Sequence, residues 1–244
     1  FMGRHGTIAG RKAAQDSKRA AMFTKYARAI TVAAKAGGDP DYNPGLRVAI
    51  DKAKAISMPN DNINRAIKKG TGELAGETYE ELSFEGYGLG GVVVIVEALT
   101  DNKNRTTSSV RSTFDKYGGN LGTQGCVSYM FSRKGVILIE KTDDIDEDSL
   151  METALEAGAE DMIVNDDCFE ILTEPSAYHD VHGAIVEAGY EILESEVEYV
   201  PSMEATPKEE DIKKLKKMID LLEENDDVQK VHHNCALNLD EYDF

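Results

Sequence analysis

The stretch SKRAAMFTKYARAITVAAKAGG, residues 17–38, sets the organisation of this 244-residue chain. Between Phe23 and Ala34 its apolar residues recur at intervals of four, three and four, the period of one helix face. The stretch holds five Lys or Arg and no Asp or Glu, and two glycines end the pattern. The sequence therefore predicts a helix from Arg11 to about Ala36 with one apolar and one basic side.

Basic residues are concentrated in the part of the chain around this helix. Residues 1–70 contain fourteen Lys or Arg against five Asp, which gives a net charge of +9. Since the whole chain carries −18, residues 71–244 carry −27. Charge segregated on this scale bears on binding partners more than on fold. We expect a basic module joined to an acidic body.

Two further helices complete the basic module. Asn43-Pro44 has the pattern of an N-cap followed by a proline in the first helical turn. Met58-Pro59 opens a third helical pattern that ends at Gly70. Residues 1–72 are thus expected to form a three-helix bundle, and the polar, acidic segment Thr71–Glu81 is expected to be a linker.

Strand and helix patterns alternate beyond the linker. Residues 135–199 follow the order β-α-β-β-α-β, which is typical of a ferredoxin-like domain. A β-β-α-β pattern precedes it, with its last strand at Val127–Phe131, and the final helix and strand, 208–232, have no sheet of their own. The predicted fold class is α+β multidomain. A helical domain precedes two α/β domains, with the ferredoxin-like one (132–205) inserted into the other (82–131 plus 206–239).

Composition argues against several classes of protein. No apolar run approaches the roughly 20 residues that a membrane span needs, so no membrane partner is expected. Three scattered cysteines are typical of reduced thiols in a cytoplasmic protein. The three are Cys126, Cys168 and Cys235.

Several motifs with catalytic associations are better explained by structure. Residues 86–91 have the G-x-G-x-x-G spacing of a dinucleotide site, but they precede a strand, so a hairpin turn is expected. His179 with His182, and His232-His233 near Cys235, lack the further ligands that a metal site needs. Acidic runs at 143–148 and 223–227 are interpreted as solvated helix ends. We therefore predict no catalytic residue, metal or cofactor, and a protein that is not an enzyme.

The basic side of the first helix has two interpretations. It is either an ordinary solvated face or a surface that faces outward and contacts nucleic-acid phosphates. The scarcity of acids favours the second, because surfaces that serve only solubility mix both signs. Basic residues of the third helix are added to the candidate site. The predicted nucleic-acid-binding residues are Arg11, Lys12, Lys18, Arg19, Lys25, Arg28, Lys35, Arg65, Lys68 and Lys69.

Several local sequences resemble the YebC/PmpR family. They include Arg11-Lys-Ala-Ala-Gln-Asp-Ser-Lys-Arg19, Ala66-Ile-Lys-Lys-Gly-Thr-Gly72, Asn104-Arg-Thr106 and Gly118-Gly-Asn-Leu-Gly122. The resemblance spans essentially the whole chain and is densest from Arg11 to Phe131. It implies a helical domain followed by two α/β domains, one inserted in the other. It also implies a transcriptional regulator that binds DNA, or a translational activator that acts on ribosomes.

Two functional hypotheses follow from charge and resemblance together. The first is a non-enzymatic regulator of transcription that binds DNA. The alternative is a ribosome-associated translation factor that relieves stalled ribosomes, in which the basic helices contact ribosomal RNA and the acidic domains contact basic proteins. A long duplex would repel the acidic body, whereas a ribosome offers surfaces of both signs.

Overall fold

The computed structural model of the protein describes Ile8, Gly10, Ala13 and residues 18–244, except the side chain of Ala20. Among these residues it contains seven α-helices and two four-stranded antiparallel sheets, a mixed α and β architecture. No helix among the described residues is long and apolar enough to cross a membrane.

Three helices form the helical module, residues 18–71. They are α1 (Arg19–Ala34), α2 (Pro44–Ala55) and α3 (Asn60–Thr71). All three contribute to one apolar core, which includes Ile30, Leu46 and Ile63. The Asn43 side chain accepts a hydrogen bond from the Leu46 N–H at 3.1 Å, which confirms the predicted cap. The predicted start of the first helix, at Arg11, lies outside the described residues.

The first sheet has the strand order β3-β1-β2-β8, and neighbouring strands are antiparallel. Its strands are β1 (Glu80–Tyr87), β2 (Val93–Thr100), β3 (Asn120–Leu121) and β8 (Val228–His233). Helices α4 (Lys103–Lys116) and α7 (Glu209–Glu224) pack on it through a core that contains Phe114 and Leu215. The last helix and strand of the chain therefore join the sheet that β1 and β2 begin.

The second sheet has the order β5-β6-β4-β7 and is also antiparallel. Its strands are β4 (Phe131–Glu140), β5 (Asp161–Val164), β6 (Cys168–Thr173) and β7 (Glu194–Pro201). Helices α5 (Glu147–Glu156) and α6 (Tyr178–Glu187) share one core with β4, β5 and β6. Together the two sheets and their helices form the acidic body, residues 80–244.

The strand predicted at Val127–Phe131 is wrong in its position. Residues Ser128–Met130 form a 3₁₀ turn, and Phe131 is the first residue of β4 in the second sheet. The cause is Glu85, which is 4 % exposed and accepts hydrogen bonds from the N–H groups of Gly125, Val127 and Ser128. Because these N–H groups bond the carboxylate, they are unavailable to a strand ladder. By contrast, residues 88–92 connect the antiparallel strands β1 and β2, as the hairpin interpretation predicts.

Candidate nucleic-acid interface

Lys18, the N-cap residue of α1, and two cations of α1 contact the acidic body. Lys18 Nζ lies 2.7 Å from a Glu223 carboxylate oxygen and 3.6 Å from Asp240. Lys25 is 8 % exposed and donates to the Glu223 carbonyl oxygen, while the Gln229 side chain donates to the Lys25 carbonyl at 3.1 Å. Burial lowers the pKa of Lys25, and the nearby carboxylates only partly oppose this. The outward orientation that the sequence suggested for this side of α1 is therefore wrong for Lys25.

Arg28 lies deeper in the same contact. Its guanidinium donates to an Asp227 carboxylate oxygen at 2.8 Å and to the Leu99 carbonyl at 3.1 Å. It also lies 5.0 Å from the centroid of the Tyr79 ring, within the range of a cation–π interaction. The Arg28 and Asp227 side chains are 15 % and 6 % exposed, so this ion pair is largely shielded from water.

Asp227 is the acceptor on which several donors of the body converge. The Arg105 guanidinium donates to both of its carboxylate oxygens, at 2.7 and 3.0 Å, and the Thr106 hydroxyl donates at 2.8 Å. Burial alone would raise the pKa of Asp227, but the hydrogen bonds from Arg105, Arg28 and Thr106 lower it to about 2. The carboxylate is thus fixed in its charged form at neutral pH.

The sequence interpretation missed this cluster. Asp227 belongs to the acidic run at 223–227, which was interpreted as a solvated helix end, and its burial corrects that interpretation. Arg105 lies in one of the quoted family motifs, which was a usable signal. The pairing itself could not be predicted, because Arg28 and Asp227 are 199 positions apart in the chain.

Three further cations of the helical module form polar contacts. Lys35 is exposed and donates to the Tyr79 carbonyl at 3.1 Å, and Arg19 donates to the Ile56 carbonyl at 3.0 Å within the helical module. Lys52 on α2 lies 3.0 Å from Glu196 on β7. Arg11 and Lys12, which were also predicted to bind nucleic acid, lie outside the described residues.

The cations of α3 are placed differently. Arg65, Lys68 and Lys69 are exposed, and none of them forms an ion pair with another residue in the described part of the chain. Since they are spaced at i, i+3 and i+4, they lie on one side of the helix, opposite the buried Ile63 and Ala66. This side of α3 is called the α3 cationic face. Among the described residues of the predicted site, these three are exposed, as are Arg19 and Lys35.

The described histidines belong to no cluster of metal-ligating side chains. No group of three or more potential His, Cys, Asp or Glu ligands is found among the described residues. His232 is paired with Glu97, with Nε2 2.9 Å from the carboxylate, and its ring packs edge-on against Tyr199.

Comparison with known proteins identifies the family. Residues 4–73 match the TACO1/YebC protein N-terminal domain, and residues 79–235 match the TACO1/YebC second and third domain. The chain belongs to the TACO1/YebC family. The resemblance to YebC proteins noted from the sequence is thereby confirmed.

Relatives in this family are similar over nearly their full lengths. A probable transcriptional regulatory protein of Clostridioides difficile is 55 % identical over 96 % of this chain and 98 % of its own. A probable transcriptional regulatory protein of Geobacter sulfurreducens is 51 % identical over 96 % of this chain and 95 % of its own. The crystal structure of a conserved hypothetical protein from Aquifex aeolicus is 45 % identical, with a TM-score of 0.80 over 90 % of this chain and 91 % of that one. The names of the Clostridioides difficile and Geobacter sulfurreducens proteins describe a regulator and assign no enzymatic reaction.

Proposed function

We propose that the protein is a non-enzymatic regulator of gene expression that binds DNA and contacts its phosphates through the α3 cationic face. The observation that carries this proposal is the exposure of Arg65, Lys68 and Lys69 on one side of α3. Three cations within two helical turns release counterions when they meet a polyanion, which favours binding without selecting a sequence. Lys35, which follows the last residue of α1, is also exposed.

The relatives support a role in transcription. Proteins that are 50–55 % identical to this chain are named probable transcriptional regulatory proteins. The chemistry of the α3 cationic face agrees with that description, because Lys and Arg are the residues that neutralise phosphate charge. All three cysteines lie in the part of the chain that the structure describes and none forms a disulfide, which fits action in the cytoplasm.

A salt titration tests the α3 cationic face. In the variant R65Q/K68Q/K69Q, binding to duplex DNA should weaken, and the slope of log affinity against log salt should decrease in magnitude by up to about 2–3. The matched control is K208Q/K214Q/K217Q, which removes three exposed cations from the α7 region. Because both variants change the net charge equally, the control separates a local contact from a general charge effect.

Two outcomes of this titration decide between hypotheses. If R65Q/K68Q/K69Q and the control have the same slope as the wild type, the α3 cationic face does not contact phosphates. If the wild type binds a ribosomal RNA fragment much more tightly than duplex DNA, and the α3 variant loses that preference, the translational hypothesis replaces the transcriptional one.

We also propose a division of the chain into three domains. A helical domain covers 1–72, a discontinuous α/β domain covers 82–131 plus 206–239, and a ferredoxin-like domain covers the inserted 132–205. The pairing of β8 with β2 supports the discontinuous domain, since it returns the end of the chain to the first sheet. The antiparallel order β7-β4-β6-β5 with two helices supports the ferredoxin-like assignment.

A further inference from the structure

The contacts between α1 and the acidic body point to an electrostatic latch that regulates nucleic-acid binding. We infer that the latch holds the helical module closed against the body, and that a polyanion competes with the body's carboxylates for the same cations. The latch consists of Lys18 at the N-cap of α1, Lys25 and Arg28 on α1, and their acceptors Glu223, Asp227 and Asp240. This inference rests on the proposed function, because it assigns a regulation to the same nucleic-acid site.

The outer part of the latch is exchangeable. The side chains of Lys18, Glu223 and Asp240 are 40 %, 33 % and 45 % exposed, so water and salt reach their ion pairs. Exposed ion pairs contribute little to stability and are screened by salt. A phosphate can therefore replace either carboxylate beside Lys18 at small cost.

The inner part of the latch can open without leaving a buried charge unpaired. Asp227 keeps the Arg105 guanidinium and the Thr106 hydroxyl when Arg28 departs, and both donors belong to the body. Leaving a buried carboxylate without partners would be strongly unfavourable, so these retained donors lower the cost of opening. Arg28 in turn can form charge-assisted hydrogen bonds to a phosphate.

No hydrophobic cluster of the described residues joins the two parts. The core of the helical module contains only residues 23–67, and none of the other hydrophobic clusters among the described residues includes a residue of that module. The contact is therefore made mainly by charged and polar groups, in contrast to the apolar joint between the two sheets at Val93, Ile95, Val127 and Phe131. Polar contacts of this kind permit domain motion.

The connection between the two parts allows such a motion. Residues 72–78 are exposed and have no regular secondary structure. Gly72 has a φ of +86°, a left-handed conformation that ends α3 and that glycine adopts without strain. When the latch opens, Lys18, Lys25 and Arg28 add to the positive charge that the α3 cationic face already presents.

The variant E223Q/D240N weakens the latch and leaves Asp227 in place. Its matched control, E210Q/E224Q, removes two exposed acids from α7, the helix that carries Glu223, and changes the net charge equally. Since apparent affinity scales with the population of the open state, the latch variant should bind a short DNA duplex about three- to tenfold more tightly than the control. The slope of log affinity against log salt should be steeper by about 1–2 in the latch variant, because more of its cations contact phosphates.

A second measurement reports on the latch without nucleic acid. Limited proteolysis within 72–78 should be faster in E223Q/D240N than in E210Q/E224Q or the wild type, because separation of the helical module from the body leaves this exposed linker less constrained. Equal cleavage rates and equal DNA affinities in the two variants would overturn the latch. Faster cleavage without tighter binding would also overturn it, because the contact would then be structural only. If R65Q/K68Q/K69Q instead bound DNA as tightly as the wild type, with the same salt dependence, that result would refute the proposed function.

Discussion

Two buried carboxylates, Glu85 and Asp227, organise the body at the scale of single residues. Glu85 accepts three backbone N–H groups and thereby fixes the loop before β4. These hydrogen bonds outweigh burial and lower the pKa of Glu85. Asp227 instead accepts from side chains of two helices, Arg28 on α1 and Arg105 and Thr106 on α4, so it connects these helices just before β8 begins. Each carboxylate compensates for its loss of hydration with charge-assisted hydrogen bonds.

Replacing Asp227 with Asn should destabilise the protein. The substitution leaves the Arg105 and Arg28 guanidinium groups without their shared anion, which we expect to cost about 2–4 kcal/mol in the free energy of unfolding. Asp226→Asn is the control, because Asp226 is an exposed neighbour. Urea unfolding at pH 7 measures both variants, and equal stabilities would show that Asp227 contributes nothing to the fold.

Acid should remove the stabilisation that the Asp227 carboxylate gives to the wild-type protein. The pKa of Asp227 is lowered to about 2 in the folded protein, below the value of roughly 3.9 for an unfolded chain. The unfolded chain therefore binds the proton first, so the stabilisation is complete above about pH 4 and is lost as the pH falls toward 2. The difference in unfolding free energy between the wild type and Asp227→Asn should narrow over that range.

Close packing of α1 against α3 determines the geometry of the helical module at the scale of elements. Gly70 lies at the crossing, where a Cβ atom would be 2.3 Å from the Thr31 carbonyl oxygen and 2.7 Å from Ala34 Cβ. The Thr31 hydroxyl also donates to the Ala66 carbonyl at 2.9 Å. The backbones of the two helices can approach this closely only because residue 70 has no side chain.

Replacing Gly70 with Ala should separate the two helices. We expect a loss of about 1–3 kcal/mol in stability, as for other overpacked sites, in place of the gain that alanine usually gives in a helix. Gly183→Ala is the matched control, since Gly183 lies within α6 with no atom near its would-be Cβ. Thermal melts of both variants measure the difference, and a melting temperature of Gly70→Ala at or above the wild-type value would contradict the close contact.

Helices could be predicted from short stretches of sequence, whereas the surroundings of the predicted binding residues depend on contacts between residues far apart in the chain. Asn43 and Asn102 cap α2 and α4 through side-chain hydrogen bonds to residues three positions later, which a single sequence reveals. The partners of Lys25 and Arg28 lie about 200 positions away, so the sequence marked these residues as basic without indicating that they are covered. The sequence identifies the cationic residues, but it does not show which of their side chains face solvent in the folded protein.

Separation of charge is the main property of the whole molecule. The positive helical module and the negative body attract each other within one chain, and this attraction occupies some of the cations that the sequence assigned to nucleic acid. Lys18, Lys25 and Arg28 contact the body, while the cations of the α3 cationic face remain exposed. The two sets of cations therefore differ in their roles in the free protein.

Lysine footprinting of the wild type, with and without nucleic acid, tests this claim most directly. In the free protein, Lys25 should react with an acylating reagent far more slowly than Lys68 and Lys69, because it is buried against Glu223. A DNA duplex at low salt should protect Lys68 and Lys69, while Lys214 and Lys217 on α7 stay reactive as internal controls. Equal reactivity of Lys25 and Lys68 in the free protein, with no protection of Lys68 and Lys69 by DNA, would contradict the account.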